Sequence, residues 1–145
     1  MESKKYKVGY TTGVFDMFHI GHLNLLKNAK LFCDQLIVGV STDELVKQYK
    51  NKNTIIPFEE RFSIVESINY VNKVVPQNTM EKLKAWETLH FDVMFVGDDW
   101  KGTRKWLKFE EQFKELGVEI IYLPYSKQTS STMLRELITK ELVSK

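Results

Sequence analysis

Apolar positions along this chain alternate between short continuous runs and stretches with a helical period. Residues 7–12 (KVGYTT) read as a strand, and residues 35–41 (QLIVGVS) form the continuous apolar run of a parallel strand buried on both faces. Between them, residues 13–21 read as a loop running into a helix over 22–32, where Leu23, Leu26, Ala29 and Lys30 fall at helical spacing. Residues 42–49 suit a short helix, and residues 50–54 (KNKNT) a polar loop. Pro57 opens a further helix with Glu59 and Glu60 in its first turn, as a helix N-terminus favours. Strand-like runs over 71–75, 91–96 and 118–123 then alternate with helices over 79–89, 106–116 and 131–142. In the first of these helices Met80, Leu83 and Trp86 mark the inward face.

Five such alternations, with no repeat or linker, predict one α/β domain over residues 1–145. The expected form is Rossmann-like: a five-stranded parallel sheet with right-handed crossovers that place helices on both faces. Ligands of such sheets sit at the carboxyl ends of the strands. Four clusters fall there: an Asp-His group after the first strand, Thr42-Asp43 after the second, Gly97-Asp98-Asp99 after the fourth and Ser130-Ser131-Thr132 after the fifth.

Composition narrows the field. Net charge is +2, from 21 basic and 19 acidic residues, too small to suggest nucleic acid or a membrane surface as partner. No apolar run approaches the roughly 18 residues of a membrane span, and the charged start MESKKYK is unlike a signal peptide. The single cysteine, Cys33, forms no internal disulfide and fits a reducing, cytoplasmic setting.

The Asp-His group lies in TTGVFDMFHIGHLNLL. His19 and His22, three apart, fall on one face of the first turn of a helix beginning near His19 or Ile20. Backbone N–H groups there lack partners and favour an anion, and Gly13 and Gly21 permit close approach. A structural histidine pair and a zinc site in which Asp16, or the distant Cys33 or His90, joins the two histidines are the rival readings. Zinc helices of the HExxH type space their histidines four apart, and no Glu or Cys stands at ligand spacing here. A GxGxxG dinucleotide fingerprint is absent from the first turn.

The run Gly13-Val14-Phe15-Asp16-Met17-Phe18-His19-Ile20-Gly21-His22 resembles the GxFDxxHxGH signature of cytidylyltransferases in the HxGH nucleotidyltransferase superfamily. The resemblance follows the order of the bacterial glycerol-3-phosphate cytidylyltransferases through most of the chain. Ser41-Thr42-Asp43-Glu44 follows the second strand, and Glu60-Arg61 opens the next helix. Residues 68–76 (INYVNKVVP) are similar to RYVDEVIP, residues 96–100 match GDDW, and residues 123–132 (LPYSKQTSST) stand where the family has LPRTEGISTT.

That resemblance implies transfer of a cytidylyl group from CTP to a phosphomonoester, with glycerol 3-phosphate the first acceptor to consider. It implies catalytic roles for His19, His22, Lys50 and Arg135, the last in an SSTxxR pattern similar to one in adenylyltransferases. Thr12, Gly13, Phe15, Asp16, Gly21, Gly97, Asp98, Asp99, Lys127, Ser130, Ser131 and Thr132 are the expected nucleotide contacts. Lys47, an alternative to Lys50, and Arg61 are expected at the acceptor phosphate. Mg2+ is expected mainly on the triphosphate, with Asp16 open as a ligand, and a homodimer through residues 69–76. Tyr125 stands where the family carries an arginine of the nucleotide site, which keeps ATP, and so adenylyl transfer, as the alternative. Another phosphorylated polyol or amino alcohol is the alternative acceptor. The basic, aromatic stretch 101–113 is either a packed helix or a flap over the acceptor.

Overall fold

The computed structural model describes residues 5–124 and 137–139. Five strands, β1 (Tyr6–Gly13), β2 (Cys33–Ser41), β3 (Lys73–Gln77), β4 (Val93–Gly97) and β5 (Glu119–Leu123), form one sheet in the order β3-β2-β1-β4-β5. Every pairing is parallel. The helices are α1 (Ile20–Lys30), α2 (Asp43–Lys50), α3 (Phe58–Glu66), α4 (Lys82–Leu89) and α5 (Arg104–Glu115). This is the α/β, five-stranded parallel fold expected from the alternation of elements.

Strand parity assigns residues to two cores. Leu36, Val38, Val40, Val93 and Phe95 pack with Leu26 and Ala29 of α1 and Val65 of α3. The intervening residues Ile37, Met94 and Val96 pack on the other face with Tyr10 and with Trp106 and Phe113 of α5. Trp86 and Leu89 of α4 join that second core, with the Trp86 indole N–H donating to Phe91 O at 3.2 Å. Gly9 marks a close approach on the first face: a Cβ there would lie 2.6 Å from the Phe95 ring and 2.8 Å from Cys33 Sγ.

Several boundaries differ from the sequence pattern. The first helix stops at Lys30 and β2 begins at Cys33, two residues before the apolar run. Pro76 lies inside β3, opposite Val40, rather than closing it. That is permitted because β3 is an edge strand, whose outer side has no ladder to break. Lys50 ends α2, and Asn51 closes that helix in a left-handed conformation with its N–H on Lys47 O. Residues 98–100 form a single 3-10 turn, Asp98–Trp100. The 131–142 helix expectation falls mostly outside the described residues.

Candidate active site

Strand order reverses between β1 and β4, which leave the sheet centre in opposite directions. A crevice at the carboxyl ends of the strands follows from that topology. A cavity of about 560 Å³ opens there, walled by Thr11 to Val14 at the end of β1, Ser41 at the end of β2, Val96 and Gly97 at the end of β4, and Trp100 beyond it. Lys50, Lys82, Lys105 and Trp106 complete its cationic and aromatic side.

The loop from β1 into α1 is unusual backbone. Phe15 and Met17 have φ of 55° and 49°, the left-handed region that bulky side chains disfavour. Gly13 makes room for the turn: a Cβ there would meet the Phe15 ring at 2.9 Å. The buried Asp16 fixes the strained segment, accepting the backbone N–H groups of Ile55 at 2.8 Å and Ile56 at 2.9 Å. Its carboxylate therefore works as a clasp between two loops. Among the described residues no group of three His, Cys, Asp or Glu is placed to hold a metal ion.

His19 caps α1. Gly21 N–H donates to His19 Nδ1 at 3.0 Å, and His19 N–H donates to His22 Nδ1 at 3.2 Å. With Nδ1 an acceptor in both rings, each neutral imidazole must carry its proton on Nε2. The rings stack at 3.9 Å between centroids, and Phe15 and Phe18 lie against His22 at 5.3 Å. Burial lowers the His19 pKa. Burial, aided by the His19 charge and opposed by Asp16, lowers that of His22 to about 3. Both imidazoles are thus neutral Nε2–H donors near pH 7. Neither is among the residues lining the cavity, which takes Gly13 and Val14 from the same loop.

Arg61, expected at the acceptor phosphate, is taken up by the protein itself. Its side chain is fully buried. Nε donates to Ile56 O at 2.8 Å, and Nη1 to Val14 O at 2.7 Å and Ser41 O at 2.8 Å. Nη2 meets Asp43 Oδ1 at 2.6 Å. Asp43 also accepts from Thr54 Oγ1 and the N–H of Phe58. A bidentate contact to an acceptor phosphate does not fit a guanidinium so enclosed. Its geometry joins the ends of β1 and β2 to the loop before α3.

Lys50 lines the cavity, whereas Lys47 is exposed on α2 and outside that lining. Gly97 is in the wall, and Asp98 is exposed at the start of the 3-10 turn. Met80 faces the cavity rather than the core. Trp106 and Phe113 are buried, and the helix carrying them also sends Lys105 and Trp106 to the cavity wall. Lys127, Ser130, Ser131, Thr132 and Arg135, with Tyr125, lie outside the described residues.

A family model described as cytidylyltransferase-like matches residues 10–137, nearly the whole of the chain. The chain belongs to the cytidylyltransferase-like family. That membership makes it a nucleotidyltransferase. A glycerol-3-phosphate cytidylyltransferase of Bacillus spizizenii is 41% identical over 127 residues, covering 87% of this chain and 92% of that one. An FAD synthase of Pyrococcus abyssi is 40% identical over 114 residues, covering 78% and 77%. Among solved structures, a lipopolysaccharide core biosynthesis protein from Thermoplasma volcanium shares the fold, with TM-score 0.71 and 23% identity, covering 86% of this chain and 99% of that one.

Within this cytidylyltransferase-like fold, Lys82 is a wall residue outside the signature motifs. It is buried, and its Nζ lies 3.2 Å from Thr12 Oγ1. A signal existed: Lys82 precedes the inward-facing Trp86 and Leu89 by four and seven residues, so the helical period turns it inward.

Proposed function

We propose that the protein transfers a cytidylyl group from CTP to the phosphate of a small alcohol phosphate, glycerol 3-phosphate being the first acceptor to try. The observation that carries this reading is the pair of neutral Nε2–H imidazoles at the first turn of α1, beside a cavity with a lysine-rich wall. The relatives with that activity in their names, 35% to 41% identical over most of their length, support the acceptor class.

In this reaction an oxygen of the acceptor phosphate forms a bond to the α-phosphorus of CTP. The bond from that phosphorus to its bridging oxygen breaks, and pyrophosphate leaves with the electron pair. A phosphomonoester is largely dianionic at neutral pH, since its second pKa is about 6, so no general base is required. The remaining work is to hold two anions in line and to stabilise charge on the α-phosphoryl and bridging oxygens. His19 and His22 supply Nε2–H donors for that charge. Being neutral, they need no proton transfer to act as donors. Lys50, at the end of α2, is the cation offered to both phosphates. Thr12 and Gly13 bring backbone close to the nucleotide, and Gly97 to Asp99, after β4, lie on its ribose side. Magnesium enters this reading on the triphosphate, because both Asp16 oxygens already accept loop N–H groups.

A homodimer through residues 69–76 belongs to the same proposal, since these residues enter and make up most of the edge strand β3. Sedimentation tests it. Adenylyl transfer is the second reading, favoured by the FAD synthase relatives and by Tyr125 in place of the expected arginine. A pyrophosphate-release screen of CTP and ATP against a panel of phosphomonoesters separates the two. Turnover with CTP and glycerol 3-phosphate is expected; turnover with ATP alone would sink the leading reading.

A further inference from the structure

Ser41 and Gln77 are register partners at the ends of β2 and β3. By strand parity both project to the face that carries Ile37 and Val75. An apolar pair would extend that core, yet both positions are polar and buried, Ser41 1% and Gln77 6% exposed. Ser41 Oγ donates to Gln77 Oε1 at 2.8 Å, and Gln77 O accepts the Thr42 N–H at 3.0 Å. These bonds fix the residue and the orientation of its carboxamide. Among the described residues the two Nε2 hydrogens have no protein acceptor. The amide is not sealed off either, since Gln77 lines two open cavities. A ligand oxygen placed there replaces water at little cost, whereas an apolar ligand atom leaves the donor unpaired.

The placement says which ligand oxygen. In the sheet, β2 and β3 lie on one side of β1 and β4 on the other. With the ribose beside Gly97 to Asp99 after β4, the β2–β3 side is left to the acceptor, because in-line displacement sets nucleophile and leaving group on opposite sides of the phosphorus. Beyond the strand-end cavity, Gln77 also borders a smaller one of about 270 Å³, walled by Asn78, Thr79 and Thr88 among others. The charged residue on that wall, Lys84, is paired with Glu81 at 2.9 Å. A neutral polar wall of this kind suits an alcohol body rather than a phosphate. We propose that the Gln77 carboxamide, oriented by Ser41, donates to a hydroxyl of the acceptor's alcohol body and so selects hydroxylated acceptors. This rests on the nucleotidyl-transfer reading above.

Propyl phosphate, which has the carbon chain and phosphate of glycerol 3-phosphate but neither hydroxyl, is the probe. In kcat/KM the wild-type protein should favour glycerol 3-phosphate over it by about tenfold or more, the worth of a hydrogen bond made or left unpaired. Gln77→Met keeps much of the side-chain volume and removes the donors. Its preference should fall about tenfold, while the KM for CTP stays within about twofold. Ser41→Ala keeps the amide and frees its orientation, so the preference should fall part-way; it gives the same reading should Gln77→Met fold poorly. Absence of a preference in the wild type, or an equal loss with both esters in Gln77→Met, would overturn the proposal. A raised CTP KM with the preference intact would assign the amide to the nucleotide and overturn it as well. If the wild-type protein transfers neither nucleotide to any phosphomonoester, the transfer reading fails, and Tm still decides the subsite. Glycerol 3-phosphate should then raise the wild-type Tm further than propyl phosphate at equal concentration, with that excess lost in Gln77→Met; equal protection of the wild type by the two esters would overturn the subsite.

Discussion

Asp16 Oδ1 accepts the backbone N–H of Ile56 at 2.9 Å, and Oδ2 the neighbouring N–H of Ile55 at 2.8 Å. One carboxylate thereby holds the left-handed loop around Phe15 and Met17 against the loop that follows Lys50. Asp16→Ala should release both amides. Hydrogen exchange at Ile55 and Ile56 should accelerate about tenfold or more, the equivalent of losing bonds to a charged acceptor, while core strand amides stay protected. Unchanged exchange at those two amides would show that the clasp contributes nothing to loop order.

Arg61 connects Val14 O, Ser41 O and Ile56 O with the Asp43 carboxylate from a fully buried position. Arg61→Met should leave these acceptors unpaired and cost about 3 kcal/mol or more, read as a lower denaturation midpoint at unchanged m. Asp43→Asn keeps an oxygen for the guanidinium and sits partly in solvent, so its cost should be smaller. A variant of Arg61 with normal stability but a raised acceptor KM would return Arg61 to the role the motif suggested.

His19→Ala and His22→Ala each remove one Nε2–H donor aimed from the first turn of α1. Each should lower kcat by about two to three orders of magnitude, as loss of a donor to developing charge does, with the circular dichroism spectrum retained. Near-normal rates in both would mean that the pair serves packing alone.

The enclosure of His22 also has a pH signature. Its pKa is lowered to about 3 in the fold, from 6.5 for the free group. Between these values the unfolded chain binds a proton that the native state does not, so His22 makes stability fall as pH drops from 6.5 toward 3. His22→Asn should lose that part of the slope. The wild-type-minus-variant difference in unfolding free energy, measured from pH 7 to pH 4, checks it; a flat difference would contradict the burial.

The parallel α/β layout was legible in the chain because a strand buried on both faces needs a continuous apolar run, as 35–41 supplies, and a helix between strands needs a 3.6 period. The histidine pair was legible for a similar reason: its spacing of three and its place after a buried strand are local facts. Arg61 and Lys82 were not. Arg61 sits in a Glu-Arg stretch with the look of a solvated helix face, and Lys82 in a run of alternating lysines. Whether such a side chain faces water or the interior depends on what other elements bring to it. For Arg61 these are carbonyls at the ends of β1 and β2; for Lys82 they are Thr12 and the helix carrying Lys105. Periodicity acts over one or two turns of chain, so it decided the elements and the placement of His19 and His22. Burial of charge is settled by partners 20 to 70 residues away, as with Ser41 and Thr12, and only the tertiary structure could decide it.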